Sequence, residues 1–521
     1  MKKHIDHRII VFALFTLFLM VGLNIYKDYG LSWDEEQRDS IGTVNYNYIM
    51  TGDSHILIDG INKYHGPIFQ LLLVVIEKSL QLTDTREIYF MRHLFTFLMF
   101  FLSAVFFYLI CKDRFKDWKR ASIGSIFLIL SPRIFADAFY NQNDIPFLSV
   151  FIISIYTLIK FHEKKTYSMA IIHALTCALL IDIRIIGIIV PAISIFLICI
   201  EYMLNLFYDC RFKVNLRSMA IFTISVMIFI ILFWPILWEG PLYHFTEALK
   251  QMSKYPWQND VLYLGNLVNA MDLPWHYIPI WVAITTPILY LLFFIIGIVV
   301  LLKSFLKNPL NFYSRQKEDI VFLLWLFIPL VFVIVRHSVL YDAWRHMFFI
   351  YPALLLISVC GLTSILNIIN NKLRGKILKM TRLGLILIIL FSLSNTVFTM
   401  IRYHPYQNVY FNSLAGDNMN EIKNKFEVDY WGLSYRKGLE YILDKDRRAL
   451  ITLNVANYPG ELSQLILTSD QRGRIRYTNK IDDADYFLSN YHGHPEEYRY
   501  KNEFFSVRVD NAKILVVYKL R

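Results

Sequence analysis

Long apolar runs constrain this chain more than any other feature of its sequence. A helix needs about 20 apolar residues to cross about 30 Å of hydrocarbon. Eleven runs approach or reach that length: 9–26, 91–111, 121–135, 146–160, 168–182, 185–207, 217–237, 278–302, 320–335, 346–369 and 383–401. With 56% hydrophobic and 18% charged residues, the chain is also too apolar for a typical soluble fold. We therefore expect an α-helical polytopic membrane protein with about 11 transmembrane helices.

Clusters of basic residues fall on every second loop between these runs. They are Lys2 to Arg8, Lys112 to Arg120, Lys160 to Lys165, Arg211 to Arg217, Lys303 to Lys317 and Lys372 to Arg382. Because Lys and Arg near span ends stay in the cytoplasm, this alternation predicts a plasma-membrane protein with a cytoplasmic N-terminus and an extracytoplasmic C-terminal domain. The same clusters account for the net charge of +11, because basic residues on cytoplasmic loops face anionic lipid. The sequence does not support a nucleic-acid partner.

The composition changes at about residue 401. Residues 1–401 are predicted to form the membrane domain, with long outside loops at 27–90, 131–145 and 239–277. Beyond residue 401, the apolar runs shorten to the length of strands. Strands are expected at 449–455, 474–478 and 484–490, a helix at 461–467, and a closing hairpin at 504–509 and 512–520. Residues 402–521 should thus form a small extracytoplasmic α/β domain.

Two adjacent carboxylates, Asp34 and Glu35, follow the first apolar run. An ionisable group at membrane depth is costly unless it has a partner or a wet cavity. The pair either serves a functional site or begins an interfacial helix, with Ser32 as N-cap and Glu35 in the capping-box position. The sequence leaves both interpretations open.

A second polar group lies in the loop predicted at 131–145. Asp137, Asn141 and Asp144 follow i, i+4, i+7 spacing, which would place them on one face if the segment is helical. Three oxygen-bearing side chains could hold a divalent cation or orient hydroxyl groups. The alternative is ordinary polar capping before Pro146 begins the next span.

The run 168–207 is too long for one span, yet both of its flanks are basic. It should form a hairpin that turns near 182–187, with a first arm of only about 15 residues, or roughly 22 Å. Arg184 would then lie below the membrane surface in a protein-lined cavity. It could form a salt bridge with Asp182 or create an anion site.

Arg336, His337, Arg345 and His346 occupy a short outside loop, against the positive-inside pattern. Guanidinium and imidazole groups suit phosphate oxygens. The outside face thus combines carboxylates in early loops with Arg and His in later ones. This combination is what sugar transfer from a lipid phosphate needs, because a carboxylate base activates the acceptor hydroxyl while cations stabilise the departing phosphate.

The sequence resembles the GT-C superfamily of membrane glycosyltransferases, in the glycosyltransferase family 39-like branch of protein O-mannosyltransferases and aminoarabinose transferases. The resemblance lies in short motifs that follow one another in the same order as in that branch and fall on the same side of the membrane. They are Ser32 to Glu35, Ser131 to Asn141 with Asp144 to Pro146, Tyr341 to Pro352, and Pro405 to Asn412 through Phe426 to Ser434.

The resemblance implies an inverting transfer from a polyprenyl-phosphate sugar to an acceptor protein, lipid or polymer on the outer face. It implies that Asp34 is the base, assisted by Glu35. Acceptor or metal would be bound by Asp137, Asn141, Asp144 and His65, the last in an interfacial region that lines such sites in relatives. The carrier phosphate would be contacted by Arg184, Arg336, His337, Arg345 and His346.

The sequence does not identify the acceptor, because the β-trefoil module of eukaryotic protein mannosyltransferases is missing. No cofactor is certain, and no His/Cys cluster forces a metal, although a divalent cation remains possible. The main alternative is a transporter or flippase for polyprenyl-linked glycans, which would use the same charged residues for binding. Against it, no two-fold internal repeat or paired broken spans are visible. An intramembrane protease is a third interpretation, but the predicted spans lack the paired-aspartate or zinc-ligand motif that such a protease needs.

Overall fold

The computed structural model describes residues 6–58, 62–208, 210, 212–253 and 257–521. The helices of the first half are α1 His7–Ile25, α2 Glu35–Thr51, α3 His55–Ile58, α4 Ile68–Ser79, α5 Thr85–Phe115, α6 Trp118–Ile129, α7 Pro132–Tyr140, α8 Asp144–Lys164, α9 Tyr167–Ile183, α10 Ile189–Tyr208, α11 Leu216–Phe233 and α12 Pro241–Ser253. They are followed by α13 Tyr277–Thr285, α14 Ile288–Lys307, α15 Pro309–Arg315, α16 Lys317–Val335, α17 Tyr351–Lys372, α18 Gly375–Tyr403, α19 Met419–Lys423, α20 Tyr435–Lys445, α21 Pro459–Leu462 and α22 Ser469–Arg472. The strands are β1 Asp260–Tyr263, β2 Asn266–Asn269, β3 Ile451–Val455, β4 Ile475–Tyr477, β5 Tyr486–Ser489, β6 Glu503–Val509 and β7 Ala512–Lys519.

The membrane part is a bundle of apolar helices, as the sequence predicts. Within the described ranges, nine helices are long and apolar enough to cross a membrane, and the bent pair α6 and α7 would add a tenth. The eleventh predicted span corresponds to α9, which is apolar but only 17 residues long. The chain is therefore a multi-pass membrane protein with a polytopic helical fold.

Two predicted spans are broken, in each case beside a proline, although the sequence indicated no paired broken spans. The run 121–135 divides into α6 and α7, which meet at 65°, and the run 278–302 divides into α13 and α14. A residue that precedes proline avoids the helical conformation. Ser131 accordingly has φ −102° and ψ 99°, and Thr286 has φ −99° and ψ 136°. As a result, much of the loop predicted at 131–145 is helical.

The connections between spans meet at two opposite ends of the bundle. At one end, Arg114 donates two hydrogen bonds of 2.6 Å to Asp319, joining the ends of α5 and α16. At the other end, the segment after α1 packs tightly on the C-terminal region. A Cβ atom on Gly30 would lie 2.2 Å from the carbonyl oxygen of Leu433, so only glycine fits there.

The C-terminal region contains a five-stranded mixed sheet in the order β4-β3-β5-β7-β6. Strand β3 pairs in parallel with β4 and β5, whereas β7 is antiparallel to β5 and β6. Helix α20 lies so close to this sheet that a Cβ atom on Gly438 would be 2.7 Å from Leu515. The expected small α/β fold is observed, with the closing hairpin turning at Asp510 and Asn511.

Candidate active site

Arg345 lies at the centre of a group of three carboxylates. It is buried, with 1% of its side chain exposed. Its guanidinium nitrogens lie 3.1 Å from Asp144, 2.9 Å from Asp342 and 3.5 Å from Asp34. The guanidinium also stacks 4.7 Å from the ring centre of Trp431. Arg345 therefore holds together carboxylates from three different segments of the membrane domain, beneath an aromatic residue of the C-terminal region.

Arg184 pairs with the same Asp144 from the opposite side. Its Nη1 atom donates to Asp144 Oδ1 at 2.6 Å and lies 3.4 Å from the carbonyl oxygen of His346. Asn141 Nδ2 donates to Asp144 Oδ2 at 3.0 Å. Each oxygen of the buried Asp144 carboxylate thus accepts from a guanidinium, which offsets the cost of burying its charge. Arg184 keeps 22% of its side chain exposed.

Asp182 does not form the salt bridge with Arg184 that the sequence left open. Its Oδ1 atom instead accepts from the backbone N–H of Ile68 at 2.8 Å. The turn before α4 approaches so closely that a Cβ atom on Gly66 would lie 1.1 Å from the Asp182 carbonyl oxygen. This contact fixes the turn that carries His65 against the end of α9, next to Arg184.

Asp34 is the most accessible carboxylate around Arg345. Its side chain is 21% exposed, compared with 14% for Asp342 and 1% for Asp144. It immediately precedes α2, where the helix dipole stabilises negative charge. Arg38, one turn further along α2, approaches it at 3.7 Å. Asp34 is therefore the carboxylate of this cluster best placed to contact a substrate.

Glu35, by contrast, is buried and fully engaged with the protein. It accepts hydrogen bonds from the backbone N–H of Ser32 at 2.7 Å and from Gln142 Nε2 at 2.8 Å, and His93 Nε2 lies 2.9 Å away. Glu35 thus binds the Ser32 N–H group, as in a capping box. Ser32 is not the N-cap, however, because α2 begins at Glu35 and its N-cap is Asp34. These contacts join the segment carrying Asp34 to the turn between α7 and α8.

Replacing Glu35 with alanine should lower the thermal midpoint of the purified protein. Three buried polar partners lose their acceptor, at a cost of about 3 kcal/mol in total. Thermal unfolding in detergent measures this effect, and Glu36→Ala is the control because Glu36 is exposed and contacts Tyr458. Equal midpoints for the two variants would contradict this role of Glu35.

Two histidines that the resemblance indicated border this cluster. His65 is half-buried, and burial together with Arg38 and Arg184 lowers its pKa to about 3, so its imidazole is neutral. His346 lies next to Arg345 and its ring meets the ring of Tyr341 edge-on at 4.6 Å. Both rings are therefore close to the cationic side of the site.

Arg336 and His337 do not join the cluster. Both side chains are exposed, and α16 ends just before them. His337 lines a small separate pocket with Trp275 and Leu340. The pair Arg336 and His337 is thus exposed, whereas Arg345 of the second Arg-His pair is buried, although the two pairs are only nine positions apart.

The double variant Arg336→Ala/His337→Ala should keep wild-type turnover within about twofold, because exposed side chains away from buried partners change free energies little. The measurement is release of sugar from the donor proposed below. A large loss of turnover would contradict this prediction and show that Arg336 or His337 contributes to the active site.

Asp137, Asn141 and Asp144 lie together, but not on one helix face as their spacing suggested. Helix α7 ends before Asn141 and α8 begins at Asp144, and the Asn141 amide bridges the break by contacting both carboxylates. Because arginines hold the Asp144 oxygens, the trio does not offer the free carboxylates that a divalent cation needs. Among the residues described, no group of three His, Cys, Asp or Glu side chains could hold a metal.

Sequence reasoning missed three members of this cluster. Arg38 lies at i+4 from Asp34 at the start of α2, so helical spacing could have identified it, whereas Asp342 has φ 55° and lies in a loop. Trp431 donates from Nε1 to Asp342 Oδ2 at 3.0 Å across 89 residues of sequence. No local pattern could have predicted that contact.

Comparison with known proteins identifies the fold. No family model matches the sequence, and no curated protein matches it. Among solved structures, ArnT from Cupriavidus metallidurans bound to undecaprenyl phosphate is similar over 97% of both chains, with 12% identity and a TM-score of 0.50. Its apo form aligns with 13% identity over 97% of this chain and 98% of that one, also with a TM-score of 0.50.

The apo oligosaccharyltransferase of Archaeoglobus fulgidus has a TM-score of 0.54 and 10% identity, covering 93% of this chain and 65% of the archaeal one. At these identities the likeness defines the fold alone. The chain shares its fold with ArnT and with most of the archaeal oligosaccharyltransferase. Its likeness to ArnT extends over nearly the whole length of both chains, which confirms the fold expected from the sequence motifs.

Proposed function

We propose that this protein transfers a sugar from a polyprenyl-phosphate donor to a hydroxyl group on the outer face of the plasma membrane. The observation that carries the proposal is the position of Asp34. This accessible carboxylate is held beside Arg345, within a cluster that includes the partly exposed cation Arg184, at one end of a membrane bundle. The GT-C fold supports the same conclusion.

The proposed reaction needs a base and a cationic site for the leaving group. Asp34 accepts the proton of the acceptor hydroxyl as the acceptor oxygen attacks the anomeric carbon. The bond between that carbon and the phosphate oxygen breaks, its electron pair remains on polyprenyl phosphate, and the anomeric configuration inverts. A positioned carboxylate and fixed cations are the groups that lower such a barrier.

The geometry favours different roles for Arg184 and Arg345. Arg184 keeps part of its side chain accessible, so we assign it to the carrier phosphate. Arg345 is surrounded by Asp34, Asp144 and Asp342, and its donors are directed at carboxylates. We therefore assign Arg345 to positioning Asp34, with Asp144 as the bridge between the two arginines.

The orientation remains as the sequence predicts it. The basic clusters favour a cytoplasmic N-terminus, and the active-site end together with the C-terminal domain would then lie outside the cell. Residues 1–401 serve as the catalytic membrane domain and residues 402–521 as the extracytoplasmic domain. A donor at that face can keep its polyprenyl chain in the lipid while its sugar reaches Asp34.

The test incubates purified protein in detergent or vesicles with a panel of radiolabelled polyprenyl-phosphate sugars. Release of sugar from one donor, even slowly to water, would support glycosyl transfer and identify the donor. Binding of a donor without release, also after an envelope extract is added to supply acceptor, would instead favour a transporter of lipid-linked glycans.

A further inference from the structure

A cleft opens where the β1–β2 hairpin meets the C-terminal domain. It has a narrow inner pocket and a wide, open outer groove. Leu262, Leu267 and Lys423 line both parts, so the two adjoin. The hairpin forms one wall by bonding to the domain, because the Gly265 N–H group donates to the carbonyl oxygen of Lys425 at 3.1 Å.

The inner end of the cleft lies beside the candidate active site. His492 lines the inner pocket, and its ring centre lies 5.7 Å from that of Trp33, the residue before Asp34. Glu427 lines the same pocket and is close enough to Asp342 for the two carboxyls to repel. Asp342 in turn contacts Arg345. Two residues of the inner pocket, His492 and Glu427, therefore lie next to Trp33 and Asp342, which are neighbours of the Asp34–Arg345 pair.

Glu427 has few partners for a nearly buried carboxyl. Its oxygen lies 3.8 Å from His492 Nδ1, the backbone of Leu262 hydrogen-bonds to it, and 8% of its side chain is exposed. No Lys or Arg nitrogen of the described chain comes within 4.0 Å of it. Burial and then Asp342 raise the pKa of Glu427. In its protonated form this carboxyl can both donate to and accept from a hydroxyl group.

We propose that this cleft is the route by which the acceptor reaches Asp34, and that the acceptor is a water-soluble glycan. The inference rests on the proposed glycosyl transfer. The cleft is lined by the hairpin and the C-terminal domain, and none of its lining residues belongs to a membrane-spanning helix. An acceptor embedded in lipid would need an apolar path from the bilayer.

The polar groups of the cleft favour a hydroxyl-rich chain. Asp260, Lys423, Glu427 and His492 line the inner pocket together with apolar groups such as Leu262. A sugar ring presents the matching surface, since it combines hydroxyl donors and acceptors with apolar C–H faces. Glu427 would bind a hydroxyl of the acceptor chain while another hydroxyl is presented to Asp34.

The test uses the full-length protein, a labelled donor that the wild type cleaves, and the water-soluble glycan fraction of the source cell envelope as acceptor. Glu427→Ala should raise the apparent KM for this fraction about tenfold, because a hydrogen bond to a buried carboxyl is lost. Glu427→Gln, which keeps both a donor and an acceptor, should retain most of the affinity. Leu267→Trp should raise the KM by filling the cleft, since Leu267 is 63% exposed there.

The matched controls are Glu440→Ala and Leu450→Trp, which change the same residue types outside this cleft and should keep the wild-type KM. Slow release of sugar to water should also remain normal in both controls. A wild-type KM in Glu427→Ala or in Leu267→Trp would overturn the proposed route. Label recovered in the lipid extract or in protease-sensitive material would overturn the acceptor class. If the wild type cleaves no donor, the failure lies with the proposed function itself.

Discussion

Replacing Asp34 with asparagine should reduce sugar release from the polyprenyl-phosphate donor by at least about a hundredfold. A positioned base contributes about 10²–10⁴ to such rates, and an amide cannot take the acceptor proton. Asparagine keeps the size of the side chain and its oxygen can still face Arg345, so the fold and donor binding should persist. Single-turnover release of labelled sugar measures the rate, and retention of labelled donor on immobilised protein measures binding.

The matched control is Glu36→Gln, which neutralises the exposed carboxylate two residues away and should turn over normally. An active Asp34→Asn enzyme would exclude Asp34 as the base. A variant that neither binds nor releases donor would show that Asp34 contributes to donor binding and not only to chemistry.

Replacing Arg345 with alanine should almost abolish turnover and destabilise the protein. Three carboxylates would lose their shared partner, and removing one member of a buried charge pair typically costs about 3–5 kcal/mol. Arg345→Lys separates stability from positioning. Lysine restores a positive charge but not a planar group that can contact several carboxylates at once, so the thermal midpoint should recover more than the turnover does.

The control for this pair of variants is Arg336→Ala, which removes an exposed arginine of the same loop. Thermal unfolding and donor release are measured on the same preparations. If Arg345→Lys shows wild-type turnover, a single positive charge suffices and the assigned positioning role is wrong.

The membrane bundle and the C-terminal sheet could be predicted because each depends on local sequence. Apolar runs specify spans through their length, and the strands at 451–455 and 512–519 appear in the sequence as short β-branched runs between turn residues. The breaks at Ser131 and Thr286 follow from the prolines after them. They were missed because hydropathy alone does not register the conformational effect of proline.

The pairings within the site could not be read from the sequence, because they depend on contacts between distant segments. Arg345 meets Asp144 across 201 residues. Arg336 and Arg345 are the same residue type in one short loop, yet the first is exposed and the second is buried. Sequence reasoning could identify that arginines lie at this end of the bundle, but the packing of α8 and Trp431 determines which of them is enclosed.

The shortness of α9 has a consequence for the lipid carrier. Seventeen residues of helix span about 26 Å, less than the roughly 30 Å of hydrocarbon, and Arg184 follows directly at its end. If the carrier phosphate binds Arg184 as proposed, it would sit slightly below the level of the surrounding head groups, and its polyprenyl tail would stay in the bilayer. The proposed enzyme would then not need to lift its carrier out of the membrane, and donors with truncated tails should remain substrates.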